Sequence, residues 1–268
     1  MIKHSISIKP QQQGVWFIVN RGRIWLDAKR QLPSGTYSEL TLSAPPEIVC
    51  ELGVFNEQKA FLAINHDHIA QEADWVTPRE LLLAGDEIFA LAARAVQVAL
   101  FIQTHRFCGQ CGSAMSLVNW ELATLCNKCG HRCYPRIAPC VLVGIRQDDK
   151  VLLARSSRHK PGFYSILAGF VESAETLEQA AVREVKEEVG VDITNLRYVG
   201  SQPWPFPHSL MTGFIADYAG GDIVCQPQEI EEAGWFSLAE LPEVPPLQTL
   251  SGQIIAQLQQ IAGNKKAT

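Results

Sequence analysis

The sequence has no apolar run near the ~20 residues that a bilayer-spanning helix needs. Its greasiest stretch, residues 88–102, is interrupted by Arg94 and Gln97, so a buried helix of a soluble protein with no membrane partner is expected there. Basic residues are in deficit: 23 Lys+Arg stand against 28 Asp+Glu, a formal net charge of −5. A protein that grips nucleic acid through a broad positive face needs the opposite balance, so DNA binding is not expected. The first ten residues alternate apolar and polar side chains and lack the basic, apolar, small-residue order of a secretory leader, which points to the cytoplasm. Internal repeats and low-complexity tracts are not visible. What is present is ordinary globular composition, 47% hydrophobic over 268 residues. That suffices for two domains of roughly 150 residues, with cores that need no disulfides.

Eight cysteines are many for a reducing compartment, and the spacing of four of them supplies a reason. Cys108 and Cys111, and Cys126 and Cys129, form two CxxC pairs separated by fourteen residues. Each pair brings two thiolates onto one ion, and four soft sulfurs in a tetrahedron suit a single structural Zn²⁺ with no open position. A redox dithiol pair and a nucleic-acid-binding ribbon are the other readings of such a pattern. Cys50, Cys133, Cys140 and Cys225 have no such spacing and read as small buried hydrophobes.

Hydrophobic patterning around this insert divides the chain into an N-terminal α+β domain (1–104), a zinc ribbon (105–134) and a C-terminal domain (135–268), α+β overall. In the first, strands 15–19 and 23–26 flank a hairpin turn in which Gly22 supplies positive φ. Further strands are predicted at 47–55 and 60–64. Thr77, Pro78 and Glu80 form a capping box with proline at the first helical position, which starts a short helix followed by a second over 86–103. In the third domain the pattern predicts paired strands at 140–145 and 151–154, a helix over 177–189 and a strand at 196–200. A proline-rich loop, a strand over 211–218, a helix over 249–261 and a frayed tail complete it.

The densest acidic constellation lies on the helix over 177–189. Glu184, Glu187 and Glu188 are related by i,i+3 and i,i+4 spacing and share a face, while Ala181, Val182, Val185 and Val189 form an adjoining apolar stripe. Like charges so placed destabilise a helix unless solvent or a hard divalent cation neutralises them. The flanking residues favour the cation. The segment GFVESAETLEQAAVREVKEEVGV (169–191) resembles the Nudix box, with every fixed position filled. Membership of the Nudix hydrolases implies an α/β/α sandwich with a mixed sheet and hydrolysis of a diphosphate linked to another moiety, with Mg²⁺ or Mn²⁺. By that resemblance Glu184, Glu187 and Glu188 hold the metal or activate water, joined by the Ala168 carbonyl and Glu229. Arg183 pairs with Glu175. Ala174 departs from the glycine usual in that place.

The nonapeptide SQPWPFPHS (201–209) resembles the signature that follows the box in the NADH pyrophosphatase branch, and the order of ribbon, box and signature matches that branch. The resemblance implies NAD(H) as substrate, cleaved to NMN(H) and AMP, or 5′-NAD-capped RNA, together with a homodimer. It implies substrate contacts by Phe170 and Tyr134, by Gln202, Pro203, Trp204, Pro205, Phe206, Pro207, His208 and Ser209, and more weakly by Arg79 and Glu121. For capped RNA, Arg132, Arg136, Arg155, Arg158, His159 and Lys160 are candidates to steer phosphates. Two alternatives stay open: a Nudix hydrolase of another nucleoside diphosphate derivative, and a catalytically inactive nucleotide-binding module.

Overall fold

The computed structural model describes residues 9–40, 48–64 and 74–266. The first eight residues, on which the leader argument rests, and Glu47, the first residue of one predicted strand, lie outside that set. Contacts divide the chain into two compact units, Met1–Arg136 with Pro205–His208, and Ile137–Trp204 with Ser209–Thr268.

In the first unit, β1 (Gln13–Asn20) and β2 (Arg23–Leu26) form the expected hairpin. Its two turn residues, Arg21 and Gly22, both have positive φ, the geometry that matches the twist of paired strands. With β3 (Ser34–Thr36), β4 (Ile48–Phe55), β5 (Gln58–Ile64) and β6 (Asp74–Val76) they make one sheet, ordered β4-β5-β1-β2-β6, with β3 also on β1. After it come α1 (Pro78–Leu81) and α2 (Asp86–Thr104). The Glu80 carboxylate accepts the Thr77 N–H at 2.8 Å, closing the acidic half of the predicted box. By length and composition α2 passes for a membrane span, but it packs in this unit's core. Phe89, Val96 and Phe101 are buried on it, in one cluster with Val15, Phe17 and Val19 for the last two. Arg94, which interrupts the apolar run, donates to the Leu52 carbonyl at 2.9 Å. The ribbon strands β7 (Met115–Leu117), β8 (Thr124–Cys126) and β9 (Arg132–Cys133) form a small sheet. Leu117, Leu122 and Cys133 pack against the same core.

The second unit is a sandwich. Strands β10 (Ala138–Gln147), β11 (Lys150–Arg155), β12 (Leu167–Phe170), β13 (Asp192–Trp204), β14 (Ser209–Gly220) and β15 (Glu232–Ser237) make a mixed sheet ordered β13-β14-β10-β11-β15. Helix α3 (Leu177–Val189) covers one face through Ala181, Val185 and Val189 against Val141, Val143 and Ile145. Helix α4 (Leu250–Lys266) covers the other through Ile254 and Leu258 against Leu142, Val151 and Leu153.

Three expectations change. The proline-rich loop is a hairpin: β13 runs through Trp204, the tip is Pro205–His208, and β14 resumes at Ser209. Pro203 fits in β13 because that strand lies at the sheet edge, where a missing N–H costs little. The tail is not frayed at Gly263, since α4 continues to Lys266. Val182 is 48% exposed and Ala180 is buried in its place, because a residue 100° beyond Ala181 turns away from the sheet.

The structure also contains a repeat that the sequence hides. Both sheets have the same strand order, the same off-path third strand and the same pairing directions. Counted back from each hairpin, Gly35 opposite Gly14 and Gly169 opposite Val141 occupy the same place. Side-chain alternation is all that such a topology demands of a sequence, so the two halves share no visible motif. Among the described residues, only the second carries a box helix between its third and fourth strands.

Candidate catalytic and zinc sites

Helix α3 starts at a full capping box. Thr176 Oγ1 accepts the Gln179 N–H at 3.2 Å, and Gln179 Oε1 accepts the Thr176 N–H at 2.9 Å. The helix ends at Gly190, with φ 78°, where a left-handed residue is needed. This fixed 13-residue rod sets the acidic side chains relative to the sheet.

Arg183 organises them. Its Nε and one terminal nitrogen bind the two Glu175 oxygens at 2.7 and 2.8 Å. The other terminal nitrogen binds Glu184 at 2.9 Å and Glu187 at 3.0 Å, while the nitrogen on Glu175 also donates to the Phe170 carbonyl at 2.9 Å. All five guanidinium donors are engaged, tying β12 and the loop after it to α3. The Arg183 hydrogen bonds, with the Glu172 N–H, hold the Glu175 carboxyl down at about 2.

Glu188 has the opposite environment. It is 5% exposed, central in the arc of α3 that faces the sheet, and its Oε2 has no hydrogen-bond partner. Burial, with the nearby charges of Glu184 and Glu229, pushes its carboxyl up to about 8. Glu184 is also raised, first by burial, although Arg183 opposes the shift. Glu187 is 54% exposed. A buried, unpaired acid facing two others is the donor set a hard dication requires. Among the described residues, no three of these carboxylates come within 4.8 Å of one another, as their mutual repulsion dictates.

Gly169 makes room for this arrangement. A Cβ built there would lie 1.8 Å from the Glu184 carboxyl carbon. Gly169→Ala is therefore expected to displace Glu184 and lower kcat by about 100-fold, the scale of an ångström-sized misplacement, with little change in Tm. Ala174 sits at φ 67°, which explains why glycine is usual there. Such a conformation costs an L-residue about 1 kcal/mol, so Ala174→Gly is expected to raise the melting temperature by about 2–4 °C and leave kcat unchanged. A lower melting temperature would contradict that account.

The other sequence-derived residues are dispersed over the two units. Ala168 is exposed in β12, and Phe170 at its end is 56% exposed. Tyr134 is 51% exposed beside the ribbon. Its hydroxyl donates to Glu121 at 3.3 Å, and Arg132 reaches the same carboxylate at 3.0 Å. In the hairpin, Pro205 and Ser209 are buried while Pro203 and Pro207 are exposed. Arg79 lies over the Phe206 ring at 5.0 Å. His208 lines a cavity of about 320 Å³ with His105 and Arg136. Gln202 does something sequence reasoning missed: its amide donates to the Gln248 carbonyl at 2.8 Å and accepts the Leu250 N–H at 2.9 Å. Both ends are thus engaged at the start of α4. Three of the phosphate-steering candidates have acidic partners: Arg132 is paired with Glu121, Arg155 with Glu231, and Lys160 with Glu243 at 2.6 Å.

In the ribbon, the sulfurs of Cys108, Cys111, Cys126 and Cys129 all lie within 4.8 Å of one another. Cys108 and Cys129 are 3.6 Å apart, and Cys111 and Cys126 are 3.5 Å apart. The Ser113 backbone N–H beside Cys111 draws its thiol down to about 6. Four sulfurs this close cannot all ionise without a cation among them, and Zn²⁺ with four thiolates fits the set.

Two family profiles match the chain: the NUDIX domain over residues 135–258 and the NADH pyrophosphatase zinc ribbon domain over 103–134. A Pectobacterium atrosepticum protein named NAD-capped RNA hydrolase NudC is 45% identical over 249 residues, 93% of each chain. A Photorhabdus laumondii protein of the same name is 45% identical over 246 residues, 91% of this chain and 92% of its own. Among solved structures, a NUDIX hydrolase from Nitrosomonas europaea shares the fold at 22% identity and a TM-score of 0.50. It covers 59% of this chain and 93% of its own.

Proposed function

Because the chain belongs to the family of NAD-capped RNA hydrolases, Nudix enzymes with an NADH pyrophosphatase zinc ribbon, we propose that it cleaves the central diphosphate of NAD(H). The products are NMN(H) and AMP, and the same cleavage removes a 5′-NAD cap to leave a 5′-monophosphate RNA. The observation that carries this reading is Glu188, buried without a partner beside Glu184 and Glu229.

Glu184, Glu187, Glu188, Glu229 and the Ala168 carbonyl would hold Mg²⁺ or Mn²⁺, which when bound neutralises the non-bridging oxygens and supplies an activated water. The chain's own contribution is preorganisation. Arg183 clamps Glu175, Glu184 and Glu187 in place before substrate arrives, and burial keeps water from solvating Glu188. Phe170 and Tyr134, each about half exposed, offer rings for a flat heteroaromatic ligand. Trp204 at the end of β13 and Phe206 within the hairpin tip would line the dinucleotide. The ribbon zinc is structural, since four thiolates leave no open position.

The reading extends to a cytoplasmic homodimer. Four cysteines are assigned to zinc as thiolates, chemistry that a reducing compartment preserves. Phe107, Trp120, Tyr134, Phe170 and Tyr198 are all more than half exposed and are apolar surface that a second copy would cover. Sedimentation velocity showing a monomer at micromolar concentration would remove the dimer. The activity is tested by giving the zinc-loaded protein NADH and an NAD-capped RNA in parallel, in Mg²⁺ and then in Mn²⁺, and assaying released NMN or NMNH. Folded protein that cleaves neither defeats the reading.

A further inference from the structure

Residues 221–231 connect β14 to β15, run past the end of α3 and carry Glu229. One side of this segment is pinned to α3: the Val224 N–H donates to the Val189 carbonyl and the Gln226 N–H to the Glu188 carbonyl, both at 2.9 Å. The Glu229 and Ile230 N–H groups fold back on the Gln226 carbonyl at 3.1 and 2.9 Å, and Ile230 is buried in the core beneath α3. The other side is pinned by one residue of β11. The Arg155 carbonyl accepts the Glu231 N–H at 2.9 Å, and its guanidinium pairs with Glu231 and, at 3.6 Å, with Glu232. Tyr164, which is 9% exposed, lies beside both groups, Glu232 raising its hydroxyl and Arg155 opposing the shift. Three acids therefore fall within four residues, and Arg155 neutralises two of them. The third, Glu229, is near enough to Glu184 and Glu188 for its charge to raise both carboxyls.

We propose that Arg155 is a positioning residue for the reaction: by holding Glu231 and Glu232 beside Tyr164, it anchors the segment that directs Glu229 toward Glu184 and Glu188. Its charge serves the geometry of the carboxylate set and not the capture of an RNA phosphate. The inference rests on the reading above in which Glu229 belongs to the divalent-metal site.

The test combines Mn²⁺ titration followed by electron paramagnetic resonance, without substrate, and kcat for NADH, on zinc-loaded protein. Arg155→Gln is expected to weaken Mn²⁺ binding and to lower kcat, each by about 10-fold, as loss of an outer-shell partner does. Arg155→Lys should recover part of both. In a Glu229→Gln background, Arg155→Gln should add less than about 2-fold, because both changes act through one carboxylate. Should Arg155→Gln fail to fold, Glu231→Gln, at a half-exposed position, is expected to weaken Mn²⁺ binding severalfold in the same non-additive way. Unchanged Mn²⁺ affinity in folded Arg155→Gln, or effects that multiply with those of Glu229→Gln, overturns the proposal. If Glu229→Gln itself changes neither Mn²⁺ affinity nor kcat, the assignment of Glu229 fails and takes the proposal with it.

Discussion

Glu188→Gln is expected to lower kcat for NADH by about 10³-fold while making the protein without Mg²⁺ or Mn²⁺ more stable at alkaline pH. The loss follows from removing a charge aimed at the metal. The gain follows from its burial. In the folded protein the Glu188 carboxyl ionises at about 8, against an ordinary value of 4.5. Between those values the unfolded chain has released a proton that the native state still holds, so stability falls as pH rises, by about 1.4 kcal/mol per unit at most. Below pH 4.5 wild type and variant should melt together; at pH 8.5 the variant should be more stable by a few kcal/mol. Adding Mn²⁺ should reverse the order, because the ion binds only the native state of the wild type. Urea unfolding of zinc-loaded protein at the two pH values, with and without Mn²⁺, measures this. A variant that turns over NADH at the wild-type rate, or a gap that does not depend on pH, contradicts the placement of Glu188.

The second large effect is expected from Cys126→Ser. Cys126 is 1% exposed, and its loss breaks a tetrathiolate whose metal contributes on the order of 10 kcal/mol in small zinc domains. Zinc content should fall from one per chain to near zero. Hydrogen exchange should then become fast over residues 105–134 and around Leu117 and Leu122, which pack on the first unit's core. The second unit, whose sandwich has its own two core clusters, should keep its protection. Retention of stoichiometric zinc would show that three thiolates suffice or that the ion sits elsewhere.

The most legible parts of the sequence were those in which chemistry fixes spacing. Four sulfurs on one ion and three carboxylates on one helix face leave few arrangements of residues, so the CxxC pairs and the box helix were found at their observed positions. Helix α3 was bounded correctly because capping residues mark both ends. The strands flanking the hairpin tip read as loop because proline signals a loop wherever it occurs, whereas an edge strand accepts Pro203. The internal pairings of Gln202 and Arg155 are not legible in the sequence because their partners, Leu250 and Glu231, are 48 and 76 residues away. Composition gave no sign of those pairings. The burial of Glu188 was likewise invisible, since an acid in the apolar arc of a helix reads as part of a solvated face until the sheet beneath it is known.

The shared topology of the two units bears on stoichiometry. Between β3 and β4 the first sheet has only residues 37–47, while between β12 and β13 the second has residues 171–191. The shorter connection has no room for a 13-residue helix such as α3, so no point mutation can give the first sheet an acidic box of this design. Each chain therefore houses one such centre on two sheets of common design. An active-site titration should count one equivalent per polypeptide, and installing a second would require an insertion.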